Sequence, residues 1–250
     1  MEFIHSLTTY QWVFALLGAF LIGINKSGLR GIDVAQVTIM ALVFGSRYST
    51  GIVLLLLCLG DAFAVFYYHR DAQWRYLKIL LPWIVLGILI GVFVGRDLNE
   101  IIFRKIMAVI VLSAISLLLL FEYKKNIHIP EKGWFSTSMG LTAGITTMLG
   151  NLAGAFSTLY FLALKVPKTN FIGTVSWMFF LINLFKIPLQ IFFWKNVSLE
   201  TLKIDLLLAP LVIIGFLIGV QIVKRLNNDH YRKLILILTL IGCIAMLLKK

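Results

Sequence analysis

Residues that carry charge, form disulfides or bind metals are scarce in this sequence. Charged residues make up 14% of 250 positions, only 11 residues are acidic, and there are two cysteines and four histidines. Cys58 and Cys243 both lie inside apolar runs without a Cys-x-x-Cys motif, and the histidines are scattered. This pattern predicts no disulfide framework, no metal site and no cofactor. There is also no nucleotide-binding motif, so we expect no direct use of ATP.

Apolar residues are correspondingly abundant. They make up 60% of the chain, and the mean hydropathy is +0.95, which is typical of a polytopic helical membrane protein and excludes a soluble domain of this length. The net charge of +12 could suggest a nucleic-acid partner. The lysines and arginines, however, lie mostly in short gaps between apolar runs, as topology determinants do. We therefore predict an all-α polytopic membrane protein in a lipid bilayer that binds no nucleic acid.

A glycine-rich, charged stretch interrupts the first apolar region. Gly23 to Gly31 carries Lys26 and Arg30 and is flanked by apolar runs at 12–22 and 34–44, each well short of the ~20 residues that cross a bilayer. Two short arms around such a turn predict a helical hairpin inside the membrane. Lys26, Ser27, Gly28, Arg30 and Gly31 would then form part of an anion site. Alternatively, the hairpin barely enters the membrane and both cations lie at its interface.

Longer apolar runs follow, and the whole plan is then repeated. Residues 50–68, 76–95 and 101–121 are long enough to span, 122–133 is a polar connector, and 134–250 repeats the pattern. An offset of 122 places Trp12 on Trp134 and Gly28 on Gly150, and an offset of 128 places Pro82 on Pro210. The change of offset predicts a six-residue insertion between about 166 and 188. Two related repeats, 1–121 and 134–250, are typical of transporters.

The second repeat has a hairpin of its own, with arms at 135–149 and 152–164, followed by spans at 170–193, 202–223 and 231–248. Each repeat thus has one hairpin of short segments and three full transmembrane helices. Such a repeat crosses the membrane an odd number of times, either three or five, so we predict that the repeats are inverted. Only a single broken helix in place of each hairpin would make them parallel.

The tip of the second hairpin has no cation. It offers Thr147, Gly150 and Asn151, whose hydroxyl, amide and backbone N–H groups suit an oxyanion. These residues are therefore candidates for the same substrate site as the first hairpin. In the alternative interpretation, the polar side chains bond their own backbone or a neighbouring helix.

Two ionisable residues fall inside predicted spans. Asp61 lies close to the middle of 50–68, and Lys186 lies sixteen residues into 170–193, where an unpaired charge costs ~2.5–3.5 kcal/mol on insertion scales. We predict that Lys186 contributes to the anion site and that Asp61 is a proton carrier or a counter-charge. Alternatively, they form a structural ion pair, or Lys186 extends its charge to a boundary.

The first hairpin, with Gly23, Lys26, Gly28 and Gly31, resembles that of the sulfite exporter TauE/SafE family. The second repeat adds the Val-Pro-Lys element at 166–168, followed by Gly173 and Thr174. The resemblance covers nearly the whole chain and implies transport of sulfite, thiosulfate or a small organosulfonate across the bacterial inner membrane. Both import and export members are known. Asp61 and Lys186 lie outside these motifs.

The leading hypothesis is therefore a secondary transporter of a sulfur-containing anion that works by alternating access around the two hairpins. A passive anion channel is the alternative within transport. A membrane enzyme is the alternative from another class, but no catalytic constellation is apparent in the sequence, so we predict that the chain is not an enzyme. A purely structural or assembly role would leave the charged hairpin without a use.

Overall fold

The structure is a computed structural model that describes residues 7–30, 32–45, 47–96 and 133–231, together with positions 98, 102, 105, 106, 109, 113, 116, 233, 234 and 237. Gly31, most of the predicted spans 101–121 and 231–248, and nearly all of the connector lie outside the described residues. Within the described ranges the regular elements are all helical. In chain order they are α1 (Thr9–Lys26), α2 (Asp33–Phe44), α3 (Tyr48–Tyr68), α4 (Trp74–Arg96), α5 (Trp134–Gly150), α6 (Ala153–Ala163), α7 (Lys168–Leu189) and α8 (Leu199–Arg225).

Four of these helices are long and apolar enough to cross a membrane. They are Tyr48–Asp71, Trp74–Arg96, Lys168–Trp194 and Leu199–Arg225, where the first and third include short extensions of α3 and α7. Large apolar side chains such as Phe66, Phe93 and Phe192 point outward and are 81%, 68% and 73% exposed. Such a surface is stable in contact with lipid rather than water. The prediction of an all-α, multi-pass membrane protein is confirmed.

The first hairpin differs from its prediction in length. Its first arm, α1, is 18 residues long and runs through Gly23 to Lys26, whereas the apolar run alone covered 12–22. The helix continues beyond the apolar run for two reasons. Lys26 is neutralised by the buried carboxylate of Asp61, and Gly23 packs against α8. A Cβ at Gly23 would lie 2.0 Å from the carbonyl oxygen of Val212. The turn then forms at Gly28, whose φ of +116° favours glycine.

The second hairpin has the arms that the sequence predicts. Its first arm, α5, ends at Gly150, and Asn151 follows in the left-handed conformation with φ 57°. Asparagine tolerates this conformation better than most residues, so it can end a helix where glycine is usual. The second arm, α6, then runs from Ala153 to Ala163.

Each hairpin packs on a spanning helix of the other repeat. Helix α1 packs on α8, and α5 packs on α4. Glycines allow both contacts: a Cβ at Gly215 would lie 2.2 Å from the carbonyl oxygen of Phe20, and one at Gly87 would lie 2.3 Å from that of Leu141. Gly87 and Gly215 are 128 positions apart, the offset that also relates Pro82 to Pro210. The same close packing therefore occurs at positions that the predicted repeats would relate to each other.

Helices α3 and α7 lie against each other at the centre and run antiparallel. Gly51, near the start of α3, packs on the backbone of Asn196 just beyond α7, and Gly173, near the start of α7, packs on the carbonyl oxygen of Tyr68. Gly51 and Gly173 keep the offset of 122, whereas Pro82 and Pro210 have the offset of 128, so the predicted six-residue insertion would fall after Gly173 and before Pro210. Its position within 166–188 stays a prediction. The inverted relation of the repeats stays a prediction, which this antiparallel packing supports.

Candidate functional site

A buried ion pair joins the first hairpin to the central helices. Nζ of Lys26, the last residue of α1, lies 2.6 Å from Oδ1 of Asp61 on α3, and the two side chains are 2% and 0% exposed. The second oxygen of Asp61 accepts a hydrogen bond of 2.7 Å from the amide of Asn183 on α7. The carboxylate is thereby held from both sides. In this structure Asp61 forms its ion pair with Lys26 and not with Lys186, and its role as a proton carrier or a counter-charge stays a prediction.

Arg30, beyond the turn, is the second cation of this hairpin and is 2% exposed. Its guanidinium carbon lies 4.9 Å from the ring centre of Phe179, and Nζ of Lys26 lies 4.7 Å from the same ring. Among the residues that the structure describes, Nε and Nη2 of Arg30 have no hydrogen-bond partner. These nitrogens share one edge of the guanidinium, the edge that binds two oxygens of an oxyanion. A buried donor without an acceptor is costly, so this edge is a candidate place for a ligand.

Two tyrosines hold the backbone at the tip of the first hairpin, the turn that contains Ser27 and Gly28. The hydroxyl of Tyr68 donates to the carbonyl oxygen of Ser27 at 2.8 Å, and that of Tyr231 donates to the carbonyl oxygen of Gly28 at 2.5 Å. The hydroxyl of Ser27 donates to the carbonyl oxygen of Ile24, and the N–H groups of Ser27 and Gly28 bond back to the end of α1. In this conformation Ser27 and Gly28 shape the turn, while Lys26 and Arg30 point to the interior.

The second tip is held by Lys186. Nζ of Lys186 donates to the carbonyl oxygen of Thr147 at 2.7 Å, to its hydroxyl oxygen at 3.1 Å and to Oδ1 of Asn151 at 2.5 Å. These bonds occupy all three donors of the ammonium group. The amide of Asn151 in turn donates to the carbonyl oxygen of Thr50 on α3. Lys186 therefore fixes the second tip in this conformation, and Gly150 lies within the segment that it holds.

Both tips contribute to one small cavity of about 10 Å³, which is roughly the space of one water molecule. Four of the predicted residues line it: Lys26 and Arg30 from the first tip, Thr147 and Asn151 from the second. Ser27, Gly28, Gly150 and Lys186 do not line it, and Asp61 lies behind Lys26. The two tips also touch directly, because a Cβ at Gly154 would lie 2.1 Å from Oδ2 of Asp33.

Several of the residues that line the cavity were not predicted from the sequence. Asn183 sits at the position that the offset of 122 relates to Asp61, so that offset, carried further along the chain, would have found it. Asp33 and Gln36 lie one helical turn apart at the start of α2, a spacing that places them on one face. The lining residues that were not predicted are Asn25, Asp33, Gln36, Leu57, Phe179 and Asn183.

The charges around the cavity have a positive balance. Three cations, Lys26, Arg30 and Lys186, stand against two carboxylates, Asp33 and Asp61, which gives a formal excess of one positive charge. All five side chains are at most 3% exposed. In a dry interior such an excess attracts an anion far more strongly than it would in water. Within the described part of the chain, no three His, Cys, Asp or Glu side chains cluster as a metal site would require.

Comparison with known proteins agrees with this architecture. A family model described as "Sulfite exporter TauE/SafE" matches residues 14–246. No curated protein and no solved structure matches the chain. Because the family match covers nearly the whole sequence, the chain belongs to the sulfite exporter TauE/SafE family. It is thus a multi-pass membrane protein of a family of sulfur-anion transporters, a class consistent with a protein that is not an enzyme.

Proposed function

We propose that this member of the TauE/SafE family is a secondary transporter that moves a small sulfur-containing anion across the bacterial inner membrane by alternating access. Sulfite, thiosulfate and small organosulfonates are the candidate substrates. The observation that carries the proposal is the edge of Arg30 that has no hydrogen-bond partner in the described part of the chain, buried next to Lys26 where both hairpin tips meet. A pyramidal or tetrahedral oxyanion presents two oxygens at the spacing that this edge binds.

In this mechanism the anion binds between the tips, and the tips must first move apart. The cavity of about 10 Å³ is too small for an oxyanion. Arg30 would bind two oxygens, and Lys26 would bind a third by exchanging Asp61 for the substrate. Thr147 and Asn151 would complete the site from the other side. Protonation of Asp61 would free Lys26 for the anion, which couples a proton to the substrate.

The packing of the helices suggests which parts move. Helices α1 and α8 form one tightly packed pair and α4 and α5 form another, each closed by glycines against backbone. Each pair combines a hairpin arm of one repeat with a span of the other. Rocking of the two pairs about the central α3 and α7 would open the cavity alternately toward each side, as expected for inverted repeats.

Binding of anions to the purified protein tests the proposal. Thermal unfolding in detergent is followed with sulfite, thiosulfate, sulfate, methanesulfonate and an acetate control, because a ligand that binds only the folded state raises its stability with concentration. We expect one or more of the sulfur anions to stabilise the parent protein and to lose this effect in Arg30→Gln. Arg47→Gln is the control, since Arg47 donates to the carbonyl oxygen of Arg96 away from the cavity. Equal responses to all five anions, or an unchanged response in Arg30→Gln, would contradict the proposal.

A further inference from the structure

A second and much larger cavity lies where α6 is connected to α7. Its volume is about 280 Å³, against about 10 Å³ for the cavity between the tips. It is lined by residues at 162–171, which cover the end of α6, the connecting loop and the start of α7, and by residues at 228–231. We call this cavity the vestibule. It offers enough room for a small oxyanion that keeps part of its hydration shell.

The vestibule carries cations close to an opening in the protein. Lys165 is exposed and has a left-handed backbone with φ 54°. Nζ of Lys168 donates to the carbonyl oxygens of Val223 and Leu226, at 3.0 and 2.5 Å, where α8 ends. These bonds fix the ammonium group 5.9 Å from the ring centre of Tyr231. Asp229 also lines the vestibule, so its lining includes two cations and one carboxylate.

Tyr231 belongs to both the vestibule and the first tip. Its side chain lines the vestibule and is 3% exposed, and its hydroxyl donates to the carbonyl oxygen of Gly28. Arg30 lies two residues beyond Gly28, and the hydroxyl of Tyr68 donates to the carbonyl oxygen of Ser27 in the same turn. Tyr231 therefore connects the vestibule with the turn that leads to Arg30.

We propose that the vestibule is a docking site for a small oxyanion and that Tyr231 is the gate between the vestibule and Arg30. This inference rests on the proposed function, because the vestibule is the route by which the transported anion would reach Arg30. Lys165 and Lys168 attract the anion, and the negative charge of Asp229 weakens this attraction. Release of the Tyr231 hydroxyl from Gly28 lets the tip move and exposes Arg30 to the docked anion.

Thiol labelling tests the docking site without any need for transport. Asn228→Cys, in a Cys58→Ser, Cys243→Ser background, is labelled with methanethiosulfonate reagents that carry either a sulfonate or a trimethylammonium group. We expect Lys165→Gln to lower the ratio of anionic to cationic labelling rates at least threefold, and Asp229→Asn to raise it. Lys224→Gln is the control, because Lys224 lies over the ring of Tyr67 outside the vestibule. A ratio that does not respond to Lys165 or Asp229 would overturn the docking site.

The gate is tested with a thiol placed beside the turn that Tyr231 holds. Ile172 contacts Gly28, since a Cβ at Gly28 would lie 3.0 Å from Cδ1 of Ile172. In the same background, we expect Ile172→Cys to react with the anionic reagent at least tenfold faster in Tyr231→Ala, and faster also in Tyr231→Phe, which keeps the ring but loses the hydroxyl. Equal rates with and without the Tyr231 substitutions would overturn the gate.

The two proposals fail in different ways. If the labelling pattern is as expected but no sulfur anion stabilises the protein, the vestibule stands and the proposed function is wrong. If a sulfur anion stabilises the protein through Arg30, but substitution of Lys165, Asp229 or Tyr231 does not change the labelling rates, the vestibule and its gate are wrong. Gel filtration and thermal unfolding of each variant establish that the labelled protein is folded.

Discussion

Asp61 and Asn183 stand 122 positions apart in the sequence and contact each other, the amide of Asn183 donating to Oδ2 of Asp61 at 2.7 Å. The same offset relates Gly28 to Gly150 and Gly51 to Gly173. Residues that contact their own counterparts lie on or near the axis that relates two copies. The pair therefore indicates where an axis between the repeats would pass, next to the cavity. One repeat has a carboxylate at this place and the other a neutral amide, which avoids two facing carboxylates.

The ion pair of Lys26 and Asp61 is expected to be strongly coupled. Removal of one partner leaves a buried charge without compensation, at a cost of about 3–5 kcal/mol. We expect Asp61→Asn and Lys26→Met each to destabilise the protein, and the double variant to lose clearly less stability than the sum of the two. Unfolding of all four proteins in detergent completes the cycle. If the two losses simply add, the contact contributes no coupling energy.

Proton coupling through Asp61 predicts a change in the pH dependence of transport. Uptake of a sulfur anion into proteoliposomes is measured for the parent and for Asp61→Asn between pH 5.5 and 8.5. Because asparagine keeps the shape but cannot bind a proton, we expect the pH dependence to flatten. Asp71→Asn is the control, since Asp71 lies in the short turn that follows α3 and does not line the cavity. An unchanged pH dependence in Asp61→Asn would remove the coupling role.

Much of this architecture could be predicted from the sequence. The long apolar runs predicted four spans that the structure confirms. The short apolar runs around polar tips predicted both hairpins. The length of α1 could not be predicted, because its last turn contains Lys26, and only a partner 35 residues away makes that charge acceptable inside the protein. Hydropathy describes each residue alone, whereas the end of this helix depends on a tertiary contact.

The residues around the cavity show a similar limit. The sequence predicted that Lys26, Arg30, Thr147 and Asn151 belong together, and all four line the cavity. Their binding roles stay predictions. The sequence did not indicate which cation pairs with Asp61. The offset of 128 relates Lys186 to Cys58, which lies one helical turn from Asp61, so Lys186 was as plausible a partner as Lys26. The offset of 122 still applies here and places Asn183 opposite Asp61. Which residue pairs with a charge depends on how the helices pack in three dimensions. An offset between two parts of the sequence predicts that packing only approximately.

Arg30 and Lys186 are expected to differ in what they contribute. Arg30→Gln removes buried donors that have no partner among the described residues, so we expect little loss of stability and at least a tenfold loss of anion affinity. Lys186→Met removes the bonds that hold Thr147 and Asn151, so we expect a loss of about 3 kcal/mol of stability. Thermal unfolding with and without ligand measures both effects. The assignment fails if Arg30→Gln is the less stable variant, or if only Lys186→Met loses affinity.

The proposed rocking motion depends on close contact between α4 and α5, which Gly144 makes possible. A Cβ at Gly144 would lie 2.1 Å from the carbonyl oxygen of Ile84, and backbone cannot move aside as a side chain can. We expect Gly144→Ala to separate the helices and to cost about 1–3 kcal/mol or more. Gly18→Ala is the matched control in another helix, because its nearest neighbour is the flexible side chain of Met40, with Sδ at 2.7 Å.

Comparison of these two variants separates a general effect of added volume from an effect on the pair. If the contact of α4 with α5 holds a rigid unit, Gly144→Ala lowers both thermal stability and transport, while Gly18→Ala changes each only slightly. Equal losses in the two variants would show that any added methyl group is harmful to these helices. In that case the glycine contacts would not distinguish the proposed moving pairs from the rest of the protein, and the rocking motion would lose its structural support.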